Sequence, residues 1–203
     1  MPRTSHAQRD DKRAQILAAA MAAFAEKGFH GTRVSDVARR AGVADGTIYL
    51  YFANKNELLE TIFEETLRQF LESGAEELFA DADPSAQMQR LVGGHLQQLG
   101  AVRDRAAVFQ IDLRHSQHFL GEVSRRVLRR YLDLITDIVQ RGQATGVFDR
   151  NFRAQDAATM VFGVLDQLAT SWVLSRRNYR LESQAPAASR FVLQALGVGS
   201  ASA

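Results

Sequence analysis

KGFHGTRVSDVARRAGVADGTIYLYFANKNELL, residues Lys27 to Leu59, decides the fold. Just ahead of it, Ile16, Leu17, Ala20, Met21 and Phe24 recur at helical spacing, and Gly28 can end that first helix in a left-handed conformation. Within the stretch, the pattern predicts a short helix from Arg33 to Ala41, capped by Thr32 and stopped by Gly42. Ala41-Gly42-Val43 then makes a tight turn into TIYLYF, Thr47 to Phe52. Its aromatics and alternation suit a strand as well as a helix. With no partner strand nearby it is read as a short helix. Asn54 and Glu57 have the spacing of a capping box, which opens a long helix towards Ala80 with Leu58, Ile62, Phe63, Leu67, Phe70 and Leu71 on its apolar stripe.

Helix, short helix, tight turn, short helix is the arrangement of a helix-turn-helix. The second short helix would enter a DNA major groove with its N-terminal residues near base edges. Asp45, Gly46 and Thr47 lie at that end: Gly46 permits close approach, and Thr47 can bond a phosphate or a base. Tyr49 and Tyr51 bring rings for thymine methyls or sugars and hydroxyls for phosphates, while Lys55 adds a positive charge at a helix start.

The rest of the chain keeps the helical period, with only three prolines in 203 residues. Asp83 and Pro84 read as cap and first position of a helix towards Leu99. Further helices are expected over Arg103 to Arg114, Leu120 to Ala144 with a stop at Gly146, residues 153–175 and residues 185–196. The fold class is all-α. Without a repeat or a low-complexity linker, the domain boundary must fall inside helix, and charge places it. Residues 1–55 carry 9 Lys and Arg against 5 Asp and Glu, residues 56–83 carry 1 against 9, and residues 84–203 carry 15 against 9. The boundary falls near residues 53–57, so the expected domains are 1–54, a DNA-binding head, and 55–203, a larger helical body.

Composition removes several classes of function. The absence of cysteine excludes disulfide frameworks, thiolate nucleophiles, iron-sulfur clusters and cysteine-containing zinc sites. No uninterrupted apolar run of about 18 residues occurs and the start, MPRTSHAQRDDKR, is not apolar, so a cytoplasmic protein that does not span a membrane is expected. There is no G-x-S-x-G elbow, phosphate loop, H-E-x-x-H or dinucleotide G-x-G-x-x-G, so no catalytic residue and no cofactor is assigned. His115 and His118 have a spacing that could hold a metal, but at an expected helix junction without a carboxylate nearby; no metal is expected.

The run from Lys27 to Leu59 closely resembles the N-terminal motif of the tetracycline-repressor (TetR) family of bacterial transcriptional regulators. The resemblance implies a homodimeric repressor whose first three helices bind near-palindromic operator DNA and whose remaining helices, residues 55–203, form a ligand-binding and dimerising body that takes a small-molecule effector. Carried over by position, Thr32 and Arg33 lie at the start of the second helix, where the family touches phosphate. Gly46 and Tyr49 lie where bases are reached, and Thr47, Tyr51 and Lys55 where the backbone is held. Ala44 and Asp45 depart from the hydroxyl residue and cation of many members, so one phosphate contact is expected to be missing. Arg3 and Arg9, ahead of the first helix, are placed for a minor-groove contact. In the body, the last two helices would form the dimer interface, with Ala157, Ala158, Val161, Ala188, Phe191, Val192 and Ala195 as candidates.

Three runs in the body, VFQIDLRHS (Val108 to Ser116), YLDLITDIVQRGQATGVF (Tyr131 to Phe148) and MVFGVLDQLATSWVL (Met160 to Leu174), resemble the branch of FadR-type regulators of fatty-acid degradation. That resemblance implies a long-chain acyl-coenzyme A effector. The residues are compatible with it. Arg103, Arg105, Arg114, Arg125, Arg126, Arg129 and Arg130 face only Asp104, Asp112 and Glu122 in the same stretch, and arginine forks suit phosphate and the nucleotide end of coenzyme A. Phe70, Leu99, Phe109, Leu113, Phe162, Leu165 and Trp172 are candidate walls for an acyl tunnel, and they are also ordinary core residues by spacing. Arg105 and Arg114 are the candidate anion contacts. Asp166, on an otherwise apolar helix, either pairs with a cation or faces the pocket; His95 reads as a packed or hydrogen-bonded core residue. A regulator of multidrug efflux, an acyl-thioester enzyme built on Asp166 and the histidines, and an architectural DNA protein without effector remain the alternatives.

Overall fold

The protein is described as a computed structural model over residues 5–79, 83–108, 110 and 122–199, and among these it is helical without strands. Phe109, Leu113, Arg114, His115, His118 and Arg3, and the side chains of Phe70 and Arg105, lie outside the described part. The helices are α1 (Ser5–Gly31), α2 (Val34–Arg40), α3 (Asp45–Ile48), α4 (Lys55–Phe79), α5 (Pro84–Gly100), α6 (Arg103–Ala107), α7 (Glu122–Thr145), α8 (Ala154–Leu174) and α9 (Ala185–Ala195), the last preceded by a 3-10 turn, Leu181–Gln184. They divide into two compact units. A head contains the described residues up to Thr66 with those of Asp104–Ser124, and a body contains those of Leu67–Arg103 and from Arg125 onward.

In the head, α1 buries Ile16, Leu17, Ala20 and Phe24, and Phe24 meets Phe29 edge to face at 5.3 Å. Gly28 breaks the helical geometry at φ 71°, as its position suggested, and the chain completes one irregular turn to Gly31. The cap of α2 differs from the sequence expectation. Arg33, not Thr32, is the N-cap, and its backbone N–H donates to the Asp36 carboxylate at 3.0 Å. Gly42, at φ 63°, turns the chain after α2 and lets the Val43 N–H reach back to the Ala38 carbonyl at 3.0 Å. Only the first two residues of TIYLYF are helical: α3 is a single turn, followed by turns that bond Tyr51 and Phe52 back to the Ile48 carbonyl. Asn54 caps α4 through the Glu57 N–H at 3.0 Å, while the Glu57 carboxylate accepts from Ala53 rather than from Asn54 itself.

The first turns of α4 belong to the head, because Leu58, Leu59 and Ile62 are buried there. The boundary drawn by charge at 54/55 therefore precedes the boundary drawn by packing, at Thr66, by about three helical turns. Charge changes where α4 begins, whereas the apolar stripe of α4 fills the head core before it leaves it.

In the body, Asp83 caps α5 by accepting from Ser85 and Ala86, with Pro84 at the first position. The 3-10 turn and α9 pack along α5, whose Met88, Leu91, Val92 and Leu96 are buried. On α7 the buried face is Tyr131, Ile135, Ile138 and Val139. Its end is closed by Gly146 at φ 76° and by Phe148 folded back over Gly142, where a Cβ would overlap the Phe148 ring.

On α8 and α9 the residues expected at the interface divide by exposure. Of the seven expected residues, Ala157, Ala158 and Val161, with Ala188 and Val192 of α9, are buried within the single chain, while Phe191 and Ala195 of α9 are exposed. The buried ones occupy the inward face with Leu165, Ala169 and Trp172. The outward side chains are Met160 and Leu174, 71% and 66% exposed, and Phe191 of α9, 59% exposed. By length and composition α8 could cross a membrane, yet only 33% of its apolar window is buried in the single chain.

A polar pair is set into the body core. His95 of α5 and the Tyr131 hydroxyl of α7 share a hydrogen bond at 2.8 Å, and Phe162 of α8 meets the Tyr131 ring edge on at 5.9 Å. His95 is half-buried as a residue, but its Nε2 is shut off from solvent. Burial pushes the imidazole pKa down to about 4 against a smaller opposing pull from Asp166, and burial pushes the Tyr131 phenol up. Because the unfolded chain titrates near 6.5, it takes up the proton first as pH falls. The associated stability, about 3 kcal/mol at most, is present above about pH 6.5 and lost towards about pH 4. Denaturant titrations of wild type and His95→Gln at about pH 7.5 and about pH 4.5 should therefore show a stability gap that narrows with acidity. A gap independent of pH would contradict the buried neutral imidazole.

Candidate DNA-reading surface and effector body

On α3, Ile48 is 1% exposed and roots the turn in the head core, which leaves Gly46 and Tyr49 on the outer side. Tyr49 is 57% exposed and nothing lies within 4 Å of the position a Cβ would take on Gly46. Thr47 and Tyr51 are half-buried. Arg33 is exposed at the start of α2. A cleft of about 490 Å³ is lined by His30, Thr32, Arg33, Val34, Ser35, Asp45, Tyr49 and Lys55. It brings together Thr32, Arg33, Tyr49 and Lys55 from the sequence-based set; Gly46, Thr47 and Tyr51 are not among its walls.

Two residues in that cleft have roles the sequence did not reveal. Thr32 is 1% exposed and its hydroxyl donates to the carbonyls of Gly28 at 2.8 Å and Ala23 at 3.0 Å. Its side chain is thus spent inside the head, closing the broken end of α1, and the expected surface contact through this hydroxyl is corrected. Lys55 donates from Nζ to the carbonyls of Phe29 at 2.7 Å and Thr32 at 2.9 Å, with the ammonium 4.3 Å from the Phe29 ring centroid. Two of its three N–H bonds are therefore committed to the protein backbone. The helix end at Phe29 leaves carbonyls without intrahelical partners, and a cation is well suited to them.

The lining residues His30, Val34 and Ser35 were not singled out by motif reading, and Arg9 is placed differently from the expectation. Arg9 lies in α1, not in a loose tail, with its guanidinium 5.9 Å from the Tyr51 ring centroid; Arg13 stacks on Phe52 at 5.4 Å and pairs with Glu65. The available signal was the spacing of Arg9 and Arg13, which continues the face of Ile16, Leu17 and Ala20 backward by two turns. Elsewhere on the head, the Asp36 carboxyl is held below its usual range by the Arg33 N–H and Lys27, and Glu26 by the Arg40 guanidinium.

In the body, Leu165 and Trp172 are buried, and Leu99, Phe162 and Asp166 are half-buried. Phe162 and Asp166, one turn apart on α8, are the two effector candidates that the structure brings to the His95–Tyr131 pair, through the ring contact and the charge felt by His95. Trp172 is held by its indole N–H, which donates to the Tyr179 carbonyl at 2.8 Å. Arg103 is withdrawn from the anion-binding set. Its Nη2 donates to the carbonyls of Trp172, Val173 and Ser175 at 2.6 to 3.2 Å, and the guanidinium lies 5.0 Å from the Trp172 ring, so it closes the C-terminal end of α8. A separate groove of about 610 Å³ along α9 is lined by Gln89, Ala185, Pro186, Ser189, Arg190, Leu193, Gln194 and Val198, and contains none of the effector candidates. Among the described residues, no group of three or more His, Asp or Glu could hold a metal ion.

Replacing Lys55 by methionine keeps the stem over Phe29 and deletes the ammonium. The two carbonyls then lose a charged donor, and the unfolding free energy should fall by about 1–2 kcal/mol, read by thermal or denaturant unfolding. A Lys55→Met protein as stable as wild type would deny the ammonium this structural role.

Residues 16–62 match the family of bacterial regulatory proteins of the tetR type, and residues 63–195 match the YsiA-like protein C-terminal region. The chain is 34% identical over 174 residues to the fatty acid metabolism regulator protein of Bacillus subtilis, covering 86% of this chain and 90% of that protein. The crystal structure of FadR from Bacillus subtilis in complex with stearoyl-CoA superposes with a TM-score of 0.84 at 32% identity over 89% of this chain and 97% of that one. The fatty acid degradation regulator FadR from Bacillus halodurans gives 0.86 at 35% over 91% and 96%. A probable acrEF/envCD operon repressor of Escherichia coli is more distant, at 25% identity over 92% of this chain and 87% of that one. The chain belongs to the TetR family of bacterial transcriptional regulators.

Proposed function

We propose that this protein is a cytoplasmic, homodimeric repressor of fatty-acid degradation genes that a long-chain acyl-coenzyme A releases from its operator. The observation that carries the reading is similarity through both units to a FadR crystallised with stearoyl-CoA. An efflux regulator is the weaker reading, since the efflux repressor shares less identity over a comparable span. The same relatives are regulators, which favours ligand binding over turnover of a thioester.

On the DNA side, Gly46 and Tyr49 meet base edges, and Arg33, Thr47, Tyr51 and the cleft wall at Lys55 hold the phosphates. In the body, Phe162, Leu165, Leu99 and Trp172, with Phe70, Phe109 and Leu113, surround the acyl chain, Arg105 and Arg114 meet the anionic end, and Asp166 faces the polar part of the site. Release requires the effector to bind more tightly to a state that holds operator weakly. By linkage, operator then weakens effector binding by the same factor. Operator binding measured with and without stearoyl-CoA, free stearate and a cationic drug tests this. Stearoyl-CoA should release the DNA and Tyr49→Ala should erode operator preference; release by the drug and not by the thioester would replace this reading with the efflux one.

The partner copy covers the outward face of α8 and α9 at Met160, Leu174 and Phe191. Met160 and Leu174, more than half exposed on a helix only one-third buried over its apolar window, and the exposed Phe191 of α9 support this interface. A two-fold dimer sets half-sites about 34–36 Å apart and makes the operator near-palindromic. Met160→Glu with Phe191→Glu should sediment as a monomer at micromolar concentration, where wild type sediments as a dimer; a dimeric double variant would place the interface elsewhere.

A further inference from the structure

Of the seven arginines clustered in the sequence, Arg103 caps α8 and the side chain of Arg105 and the whole of Arg114 lie outside the described residues, which leaves four on α7. Arg125, Arg126, Arg129 and Arg130 are all exposed. At about 100° per residue they span about 140° of the helix surface, on the side opposite the buried Tyr131, Ile135, Ile138 and Val139. The buried stripe fixes which way α7 faces, so the four guanidinium groups share one outward surface over two turns.

Their spacing sets like charges beside each other. Arg125 and Arg129, and Arg126 and Arg130, are four residues apart, with Cβ atoms about 5–6 Å from each other, an arrangement that destabilises a helix on its own. The stretch from Arg125 to Arg130 contains no acid, and none of the four has an ion pair or hydrogen bond to a described residue. Asp133 follows Arg129 by one turn, in the less favourable order with the cation N-terminal, and no ion pair forms between them among the described residues. Four uncompensated guanidinium groups at this spacing suit a compact polyanion, since each fork can hold a phosphate through two parallel N–H donors.

We infer that this arginine face of α7 binds the 3'-phosphorylated adenosine diphosphate end of the acyl-coenzyme A, while the acyl chain enters the apolar body. The inference rests on the acyl-coenzyme A reading and adds these four residues to Arg105 and Arg114 at its anionic end. The charges match. A pyrophosphate diester carries two and the 3'-monoester about 1.5 to 2, so the ligand brings about four negative charges to four arginines. A guanidinium plane can also stack on adenine, which a lysine cannot do as well. An exposed site suits this end of the ligand, because its phosphates need not be desolvated.

The test uses the full-length protein with stearoyl-CoA and with adenosine 3'-phosphate 5'-diphosphate as a separate probe. Two variants, R125Q/R129Q and R126Q/R130Q, keep side-chain length, and their helical content and unfolding midpoints establish folding. Each should weaken stearoyl-CoA binding by about tenfold at low salt. The loss should shrink as salt rises. The nucleotide probe should compete with stearoyl-CoA in wild type and fail to do so in the variants, while effector-free operator binding stays unchanged. Equal stearoyl-CoA affinity in wild type and both folded variants would overturn the site and leave the functional reading standing. Weakened operator binding with stearoyl-CoA affinity intact would assign the face to nucleic acid and overturn it too. A wild type that binds no acyl-coenzyme A would overturn both the site and the function.

Discussion

The junction at Phe29 to Thr32 is the constraint on which the head depends. Gly28 breaks α1 at a positive φ, and a broken helix end leaves carbonyls that must be satisfied if they are buried. The Thr32 hydroxyl serves those of Ala23 and Gly28, and Lys55 serves those of Phe29 and Thr32. One knot thus joins the end of α1, the start of α2 and the start of α4. With Ile48, Leu58 and Phe52 buried in the same unit, the turn of α3 has little freedom to reorient. Tyr49 can then sit 57% exposed without cost to the core, because its neighbour Ile48 anchors the turn.

The body repeats this device with Arg103. A cation closes the end of α8 over three carbonyls and lies against Trp172, whose indole N–H is itself tied to Tyr179. Apart from the cations that pair with carboxylates, such as Arg13 and Arg40, positive charge here stands in two contrasting surroundings. Lys55 and Arg103 are drawn inward to backbone oxygens, whereas Arg125, Arg126, Arg129 and Arg130 stand outward without carboxylate partners. A carbonyl cluster at a helix end attracts one fixed cation; an exposed polyanion needs several, kept close together by helix spacing.

One polar pair in the body core satisfies itself by a hydrogen bond between its two members. The neutral His95 and the protonated Tyr131 bond to each other, so the apolar faces of α5, α7 and α8 carry a polar pair without burying a charge. Phe162 flanks the pair and Asp166 acts on it from the same helix.

Helix positions and stops were legible in the sequence. Periodicity marked α1, α4, α5, α7 and α8, Asp83 and Asn54 marked caps, and Gly28, Gly42 and Gly146 marked ends, because each of these signals acts between residues close in the chain. The helix-turn-helix and the outward Gly46 and Tyr49 were readable for the same reason. Side-chain allegiance was not. Composition could not tell that Thr32 turns inward, that Lys55 and Arg103 spend their donors on carbonyls 23 to 72 residues away, or that Ala157, Ala158 and Val161 face the chain's own core while Met160 faces out. A charge or an alanine carries no mark of its partner. Only the folded arrangement, which brings distant carbonyls and helix faces together, decides whether such a residue holds the protein together or meets something outside it.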